Sequence, residues 1–143
     1  MITEFREAWI TPRTPPASEE ERAAVEACVR DYYLSWFEGD AERMTRALHP
    51  ALAKRAFGVG PDKAPEIDES PAADMIAATA AGLGRARKGD RLDIRIDDIR
   101  AGIASVVADT DHYVDYLHLI RTPEGWRIIN ALWCWADGHG PRA

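Results

Sequence analysis

Residues 113–135 read YVDYLHLIRTPEGWRIINALWCW, two apolar runs separated by Thr122-Pro123-Glu124-Gly125. Proline second and glycine fourth are the positions that these residues favour in a four-residue β-turn. Aromatic and β-branched residues dominate both runs, as in strands packed on a core. The stretch therefore predicts an antiparallel hairpin with strands at 113–121 and 126–135.

The segment before this hairpin also predicts strands. In residues 91–97 apolar and charged residues alternate, which is typical of a half-exposed strand. Residues 103–108 form an apolar run that predicts a central strand. Four strands in antiparallel order are therefore expected in the second half of the chain.

The N-terminal half predicts a long first helix. Ser18 with Glu21 forms a capping box, and three glutamates suit the first turn of a helix. Apolar residues then recur at spacings of three and four as far as Phe37. Gly39 is expected to end this helix, and Asp40 to cap the next one.

Two further helices complete the predicted N-terminal layer. A short second helix ends at His49-Pro50, and residues 51–55 are expected to add another turn. Residues 56–69, rich in glycine and proline, predict a long loop. Ser70-Pro71 is expected to start the third helix, with Ser70 as its cap.

Composition limits the class of protein. The chain has 143 residues, 46% hydrophobic and 29% charged, so one globular domain is expected at 18–137, with an arm at 1–17 and a tail at 138–143. The net charge of −6 disfavours nucleic acid as a partner, and no apolar run approaches the ~20 residues that span a membrane. An acidic N-terminus without a signal pattern favours a cytoplasmic protein. Cys28 and Cys134 are expected to be buried free thiols.

Three stretches carry a family resemblance: residues 29–40, residues 49–55, and residues 114–121 together with 125–133. Together they resemble the nuclear transport factor 2-like superfamily and, within it, the group described as "putative lumazine-binding". The resemblance implies an α+β fold, a cone-shaped curved antiparallel sheet whose concave face is closed by three N-terminal helices. It also implies a pocket in that face. The superfamily includes isomerases, dehydratases, cyclases and non-catalytic binding domains.

Strand parity decides which side chains face the predicted pocket. If the hairpin stays in register, and if the resemblance gives the correct face, the concave side carries Tyr113, Asp115, Leu117, Leu119, Ile128, Asn130 and Leu132. A bulge at Gly125 would reverse one strand relative to the other. The convex side would carry a large apolar and aromatic set that predicts a homodimer interface: Tyr116, His118, Ile129, Trp133 and Trp135.

Three residues are candidates for catalysis. Asp115 on an apolar wall is a candidate acid or base, and we expect burial to raise its pKa above the ~3.9 reference. His49 near the pocket mouth is a candidate proton shuttle. Tyr32, eight residues before Asp40, matches the spacing of a tyrosine donor in the ketosteroid isomerase branch of the superfamily, but the base of that branch falls at residues 54–57, where no acid is present.

The remaining pocket candidates are ligand-binding: Trp36, Arg55, Asn130, Tyr113, Leu117 and Leu132. A structural role is favoured slightly over a functional one: Asp115 and Asn130 would then bond each other, a helix end or Arg55 and satisfy the interior. No metal-ligand spacing is present, and no cofactor is expected.

Two functions remain at the level of sequence. One is a small-molecule-binding protein, whether or not it acts on its mostly apolar ligand as an isomerase, dehydratase or cyclase. The alternative is a non-catalytic dimeric interaction domain that uses the convex sheet.

Overall fold

The computed structural model describes residues 15–59 and 65–137. Most of the predicted arm at 1–17 and the whole predicted tail at 138–143 lie outside the described residues. Within the described part of the arm, Ala17 packs against the hydrophobic core.

Three α-helices occur in the described residues: α1 at Glu19–Glu38, α2 at Ala41–Ala47 and α3 at Ala72–Ala80. The predicted caps of the first two are confirmed. The Ser18 side chain accepts from the Glu21 amide at 3.1 Å, and Asp40 Oδ1 accepts from the Arg43 amide at 3.1 Å. Gly39 ends α1 in the left-handed conformation, with φ of 76°. A short 3-10 helix follows α3 at Arg85–Arg87.

The same ranges contain a curled, unclosed sheet of six strands. The strands are β1 at Leu48–Val59, β2 at Pro65–Ser70, β3 at Leu92–Arg100, β4 at Ile103–Thr110, β5 at Tyr113–Thr122 and β6 at Gly125–Trp135. Their order is β2-β1-β6-β5-β4-β3. The α+β prediction and the hairpin at 113–135 are confirmed. The sheet is mixed rather than purely antiparallel, because β1 runs parallel to β6.

The prediction for residues 51–69 was wrong. A helical turn and a loop were expected, but β1 and β2 form an antiparallel pair there. In β1, Leu52 and Lys54 are buried while Ala51 and Arg55 are exposed. The inward positions therefore include a lysine, so the apolar alternation that marks a strand is absent from the sequence.

The start of α3 also differs from the prediction. Ser70 is the last residue of β2, and the helix begins at Ala72 after Pro71, with no side-chain cap. Because β1 and β2 precede α3, the helices do not form one continuous N-terminal layer. They still pack against the concave face of the sheet: α1 contacts β6 and β3, and α3 contacts β1 and β2.

A register shift in the last hairpin determines which residues face inward. His118 pairs with Asn130, but Leu119 pairs with Ile128, so Ile129 is an extra residue in β6. Side chains alternate along a strand, and one extra residue reverses their direction beyond it. The bulge therefore lies at Ile129 rather than at Gly125.

Candidate functional site

A cavity of about 620 Å³ lies between α1, α3 and the concave face of the sheet. This volume falls within the ~300–1,000 Å³ that is usual for ligand pockets. Aromatic side chains from α1, β5 and β6 form much of its wall: Trp36, Tyr113, Trp133 and Trp135.

The aromatic wall is held together by edge-to-face packing and one hydrogen bond. The ring centroid of Tyr113 lies 5.4 Å from that of Trp133 and 5.1 Å from that of Trp135. The two indoles are 5.2 Å apart at 75°. Trp36 Nε1 donates to the Tyr113 hydroxyl at 3.3 Å. These contacts fix a broad apolar surface, since T-shaped aromatic pairs add to the stabilisation from burial alone.

Four polar side chains form the deeply buried part of the cavity lining: Tyr32, Tyr33, Lys54 and Asp115. Tyr33 donates to Asp115 Oδ2, and Lys54 Nζ donates to the Tyr32 hydroxyl. Helix α1 supplies both tyrosines, whose rings pack edge to face at 5.0 Å. The consecutive residues Tyr32 and Tyr33 thus contact different groups: Tyr33 binds the Asp115 carboxyl, and Tyr32 binds the Lys54 amine.

Strand pairing explains why the carboxyl and the amine share a face. Asp115 on β5 lies opposite Trp133 on β6, and Trp133 lies opposite Ala56 on β1. Lys54 is two residues before Ala56 and so points to the same side. The bulge at Ile129 is what brings Trp133 into this row.

Burial shifts the pKa values of both charged groups. Desolvation raises the pKa of Asp115, opposed by the charge of Lys54 and by the hydrogen bond from Tyr33. Desolvation likewise lowers the pKa of Lys54, opposed by the charge of Asp115. The predicted rise in the pKa of Asp115 is confirmed. The opposing cation is Lys54 rather than Arg55.

Asp115 has an unmatched acceptor. Its Oδ1 atom is buried and has no hydrogen-bond partner among the described residues, while Oδ2 accepts from Tyr33. The residue is 2% exposed and lines the cavity. Buried carboxyl oxygens normally have partners, so Oδ1 is an unused acceptor on a residue that lines the cavity.

The outer part of the cavity is charged. Exposed acidic residues from β2 and α3 line it, namely Glu66, Asp68 and Asp74. On the opposite side Arg87 lies over the Trp135 ring, with its guanidinium carbon 5.4 Å from the ring centroid. The cavity thus passes from a charged opening through aromatic walls to a polar interior.

Of the residues singled out from the sequence, the structure brings Tyr32, Trp36, Tyr113 and Asp115 to this cavity. Leu117 lies in the hydrophobic core.

Two other candidates lie away from the cavity. His49 lies in a separate surface depression, where its Nδ1 accepts from the Ala51 amide at 3.0 Å. Arg55 points outward and pairs with Glu69 at 2.9 Å. Successive residues of a strand face opposite sides, which separates Arg55 from its neighbour Lys54.

The predicted orientation of the end of β6 was wrong. Asn130 lies on the convex face beside His118, with 3.3 Å between Asn130 Nδ2 and His118 Nδ1, and Leu132 is 52% exposed. Trp133 and Trp135, expected on the convex face, line the cavity instead. The bulge at Ile129 causes both differences.

Other sequence expectations can be compared with the described residues. Cys28 and Cys134 are free; Cys28 is buried, which raises its pKa to about 12, and Cys134 is partly buried. Across residues 15–59 and 65–137 there is no cluster of three or more potential metal ligands. In the same ranges, no helix is both long and apolar enough to cross a membrane.

Residues 20–134 match the family described as "Putative lumazine-binding". The chain belongs to this family. No curated protein matches the sequence. The resemblance inferred from residues 29–40, 49–55 and 114–133 is therefore confirmed at the level of the family.

Solved structures similar to this lumazine-binding family member share its fold at low sequence identity. An NTF-2 like protein of unknown function from Silicibacter pomeroyi is 18% identical, with a TM-score of 0.63 over 83% of this chain and 98% of its own. An NTF2-like protein of unknown function from Shewanella baltica is 16% identical, with a TM-score of 0.63 over 90% and 100%. A "putative dehydratase from the NTF2-like family" from Streptomyces avermitilis is 15% identical, with a TM-score of 0.59 over 84% and 99%. The cone-shaped fold expected from the sequence is confirmed.

Sequence reasoning did not predict several cavity residues, among them Tyr33, Lys54, Trp133 and Trp135. Lys54 gives no signal in the sequence, because a lysine beside Arg55 is typical of a solvated basic surface. Trp133 and Trp135 share parity with each other and with Ala131, so the sequence groups them on one face without showing which face it is. The apolar pair Ile128-Ile129 conceals the bulge that turns this set inward.

Proposed function

We propose that this protein binds a small, mostly apolar, ring-containing molecule in the cavity and that Asp115 transfers a proton to or from it. The observation that carries the proposal is the buried, unpartnered Oδ1 of Asp115 on the wall of an aromatic cavity. Such a group both binds a ligand donor and is suited to acid–base catalysis.

The walls support binding of a planar ring. Trp36, Trp133 and Trp135 offer large apolar surfaces, and aromatic groups favour stacked or edge-to-face contacts with other rings. Apolar walls with a few convergent polar groups are typical of small-molecule sites.

The polar interior supports proton transfer. A general acid or base works best when its pKa lies near the operating pH, and burial moves the pKa of Asp115 in that direction. Tyr33 holds Oδ2, which leaves Oδ1 as the acceptor available to a ligand. Across the site, the Lys54–Tyr32 pair can contact an oxygen on which negative charge develops. This arrangement suits an isomerase, dehydratase or cyclase reaction.

The comparisons suggest a first ligand to test. The family is described as lumazine-binding, and lumazine is a fused bicyclic ring with carbonyl and N–H groups along its edges. Its ring faces suit the indoles, and an N–H suits Asp115 Oδ1. The dehydratase description of the Streptomyces avermitilis neighbour names a reaction of the same acid–base kind.

Calorimetric titration with lumazine tests the binding proposal. We expect binding to the wild type, weaker binding to Trp133→Ala and unchanged binding to Tyr116→Ala, whose side chain is on the convex face. Asp115→Asn should weaken binding, since the amide matches the ligand donor less well. Native mass spectrometry of protein purified from its own host extends the test to other ligands. A cavity that binds neither lumazine nor any copurified molecule contradicts the proposal.

A second candidate function is self-association through the convex face. Three large apolar side chains are exposed there: Ile103 at 60%, Tyr116 at 53% and Leu132 at 52%. His118 and Ile129 adjoin this patch in an apolar surface groove. We propose a homodimer that buries it, and light scattering of the wild type and of Tyr116→Lys tests this. A wild type that stays monomeric at micromolar concentration contradicts the dimer.

A further inference from the structure

We propose that Lys54 is a nucleophilic lysine that forms an imine with an aldehyde or ketone bound in the cavity. The inference rests on the proposed function, because the carbonyl compound must first occupy the same cavity. It specifies the class of ligand as a carbonyl compound with an attached ring.

The position of Lys54 supports this role. Lys54 is 9% exposed, lies on the concave side of β1 and lines the cavity. Nζ lies 5.0 Å from the ring centroid of Tyr32 and 5.5 Å from that of Trp133. The amine is therefore surrounded by aromatic faces and reaches the space that a ligand would fill.

Lys54 also lacks the partner that a buried lysine usually has. It forms no ion pair with any carboxylate in residues 15–59 and 65–137, and its hydrogen bond goes to the neutral Tyr32 hydroxyl. Asp115, the nearby acid, uses Oδ2 for Tyr33 and leaves Oδ1 without a protein partner. Lys54 therefore has no direct ion pair within these ranges, although the charge of Asp115, another cavity residue, acts on it.

The surroundings favour the nucleophilic form of the amine. A lysine attacks through the lone pair of its neutral nitrogen, and desolvation, which lowers its pKa, increases the neutral fraction. Arg55, the next residue of the strand, shows the contrasting arrangement: it is exposed and paired with Glu69.

The reaction needs no component beyond the ligand and the protein. The Nζ lone pair forms a bond to the carbonyl carbon, the C=O π pair moves to oxygen, and that oxygen takes up the proton lost by nitrogen. The resulting carbinolamine loses its hydroxyl group and the second nitrogen proton as water, which leaves a C=N bond to Nζ. Tyr32 is placed to relay protons at nitrogen, and Asp115 to do so on the ligand side.

The imine would link Lys54 to the proton transfer assigned to Asp115. A C=N bond, once protonated, withdraws electrons and acidifies a C–H on the adjacent carbon. Asp115 Oδ1 is free to accept that proton. A carbonyl ligand with a C–H on the adjacent carbon can therefore be converted further. A carbonyl ligand without such a C–H stops at the imine.

Reductive trapping tests the inference. The wild type is incubated with 2-naphthaldehyde and sodium cyanoborohydride, which reduces imines in preference to aldehydes at neutral pH, and labelling is located by peptide mass mapping. The chain has three lysines, Lys54, Lys63 and Lys88, so each site can be assigned separately. We expect Lys54 to be labelled several times faster than the exposed Lys88, because desolvation lowers the pKa of Lys54 and so increases its neutral fraction. Lys54→Met should remove this fast label, and Lys88→Gln should leave it unchanged.

A carbonyl-free probe separates this inference from the proposed function. Binding of 2-naphthylmethanol is measured by calorimetry on the same protein. If the alcohol binds but Lys54 is labelled no faster than Lys88, the imine is contradicted and the binding site stands. If neither probe binds and no fast label appears, both are contradicted for ring-bearing ligands. If Lys54→Met does not fold, the relative labelling of Lys54 and Lys88 in the wild type still decides between these results.

Discussion

Tyr33 donates a hydrogen bond to Asp115 Oδ2, although 82 positions separate the two residues in the chain. The contact joins the buried face of α1 to the beginning of β5 and fixes one oxygen of the carboxyl. The other oxygen, Oδ1, has no partner among the described residues. One oxygen of this acid is therefore held by the fold, and the other keeps an unused acceptor.

Asp115→Asn should change how stability depends on pH. Burial raises the pKa of the folded carboxyl above its ordinary value of 3.8, so above that pH the folded state binds more protons than the unfolded state. The free energy of unfolding of the wild type therefore falls as pH rises from about 4 through the folded pKa. Asparagine lacks this dependence, so the variant should gain stability relative to the wild type over that window. Urea unfolding at pH 4, 5, 6 and 7 measures it, and a difference that does not vary with pH contradicts it.

Tyr33→Phe should destabilise the protein and raise the pKa of Asp115 further. The variant leaves both carboxyl oxygens without a donor, and an unsatisfied buried group costs about 1–3 kcal/mol. Chemical denaturation gives the loss, and NMR titration of the carboxyl gives the pKa. Tyr116→Phe on the exposed convex face is the matched control, expected within about 0.5 kcal/mol of the wild type. Equal effects of the two substitutions would argue against a specific role for the Tyr33 hydroxyl.

Lys54→Met should increase stability at neutral pH while abolishing the imine. The lowered pKa means that the folded lysine binds fewer protons than the unfolded one below pH 10.5, so wild-type stability falls as pH decreases from 10.5 through the folded pKa. Methionine removes this loss and suits the apolar surroundings, which we expect to add about 0.5–2 kcal/mol.

Thermal unfolding at pH 7 and pH 9 measures this gain, which should be larger at pH 7. Arg55→Met is the control on the exposed side of the same strand, and it should leave stability nearly unchanged, because surface ion pairs contribute little. A Lys54→Met variant less stable than the wild type at both pH values would show that the amine stabilises the fold.

Gly84→Ala should disturb the junction between the 3-10 helix and α1. A Cβ atom at Gly84 would overlap the carbonyl oxygen and indole ring of Trp36, a cavity residue. Overpacking of this kind costs about 1–3 kcal/mol. A Cβ at Gly58 meets nothing within 4 Å, so Gly58→Ala should be neutral or slightly stabilising. Thermal unfolding of both variants checks the contrast, and equal melting temperatures would refute the close approach.

Local signals predicted the helices and the last four strands. Ser18, Gly39 and Asp40 act through neighbouring backbone groups, so their effects can be read from a few consecutive residues. Strand β1 could not be read this way. Its partners are β2 and β6, and β6 is distant in sequence. One of its inward positions is Lys54, a polar residue that lines the cavity and does not belong to the hydrophobic core.

The candidate site was predictable only in part. Helix α1 and strand β5 are regular where they supply cavity residues. Helical spacing therefore places Tyr32 and Trp36 correctly, and strand alternation does the same for Tyr113 and Asp115. Beyond the bulge at Ile129, simple alternation of side chains along β6 no longer predicts which residues face the cavity. Either Ile128 or Ile129 satisfies an inward position, so no local preference reveals which residue is extra.

The bulge at Ile129 also affects how this protein should be aligned with its relatives. A homologue without the bulge presents the same inward residues only if its last strand is one residue shorter at this point. An alignment without a gap here would pair Trp133 and Trp135 with outward residues of that homologue, and would make two similar cavities look unrelated. Over evolutionary time, insertion or loss of a single codon near this position, rather than a series of substitutions, can exchange the whole set of side chains that the end of the strand contributes to the cavity.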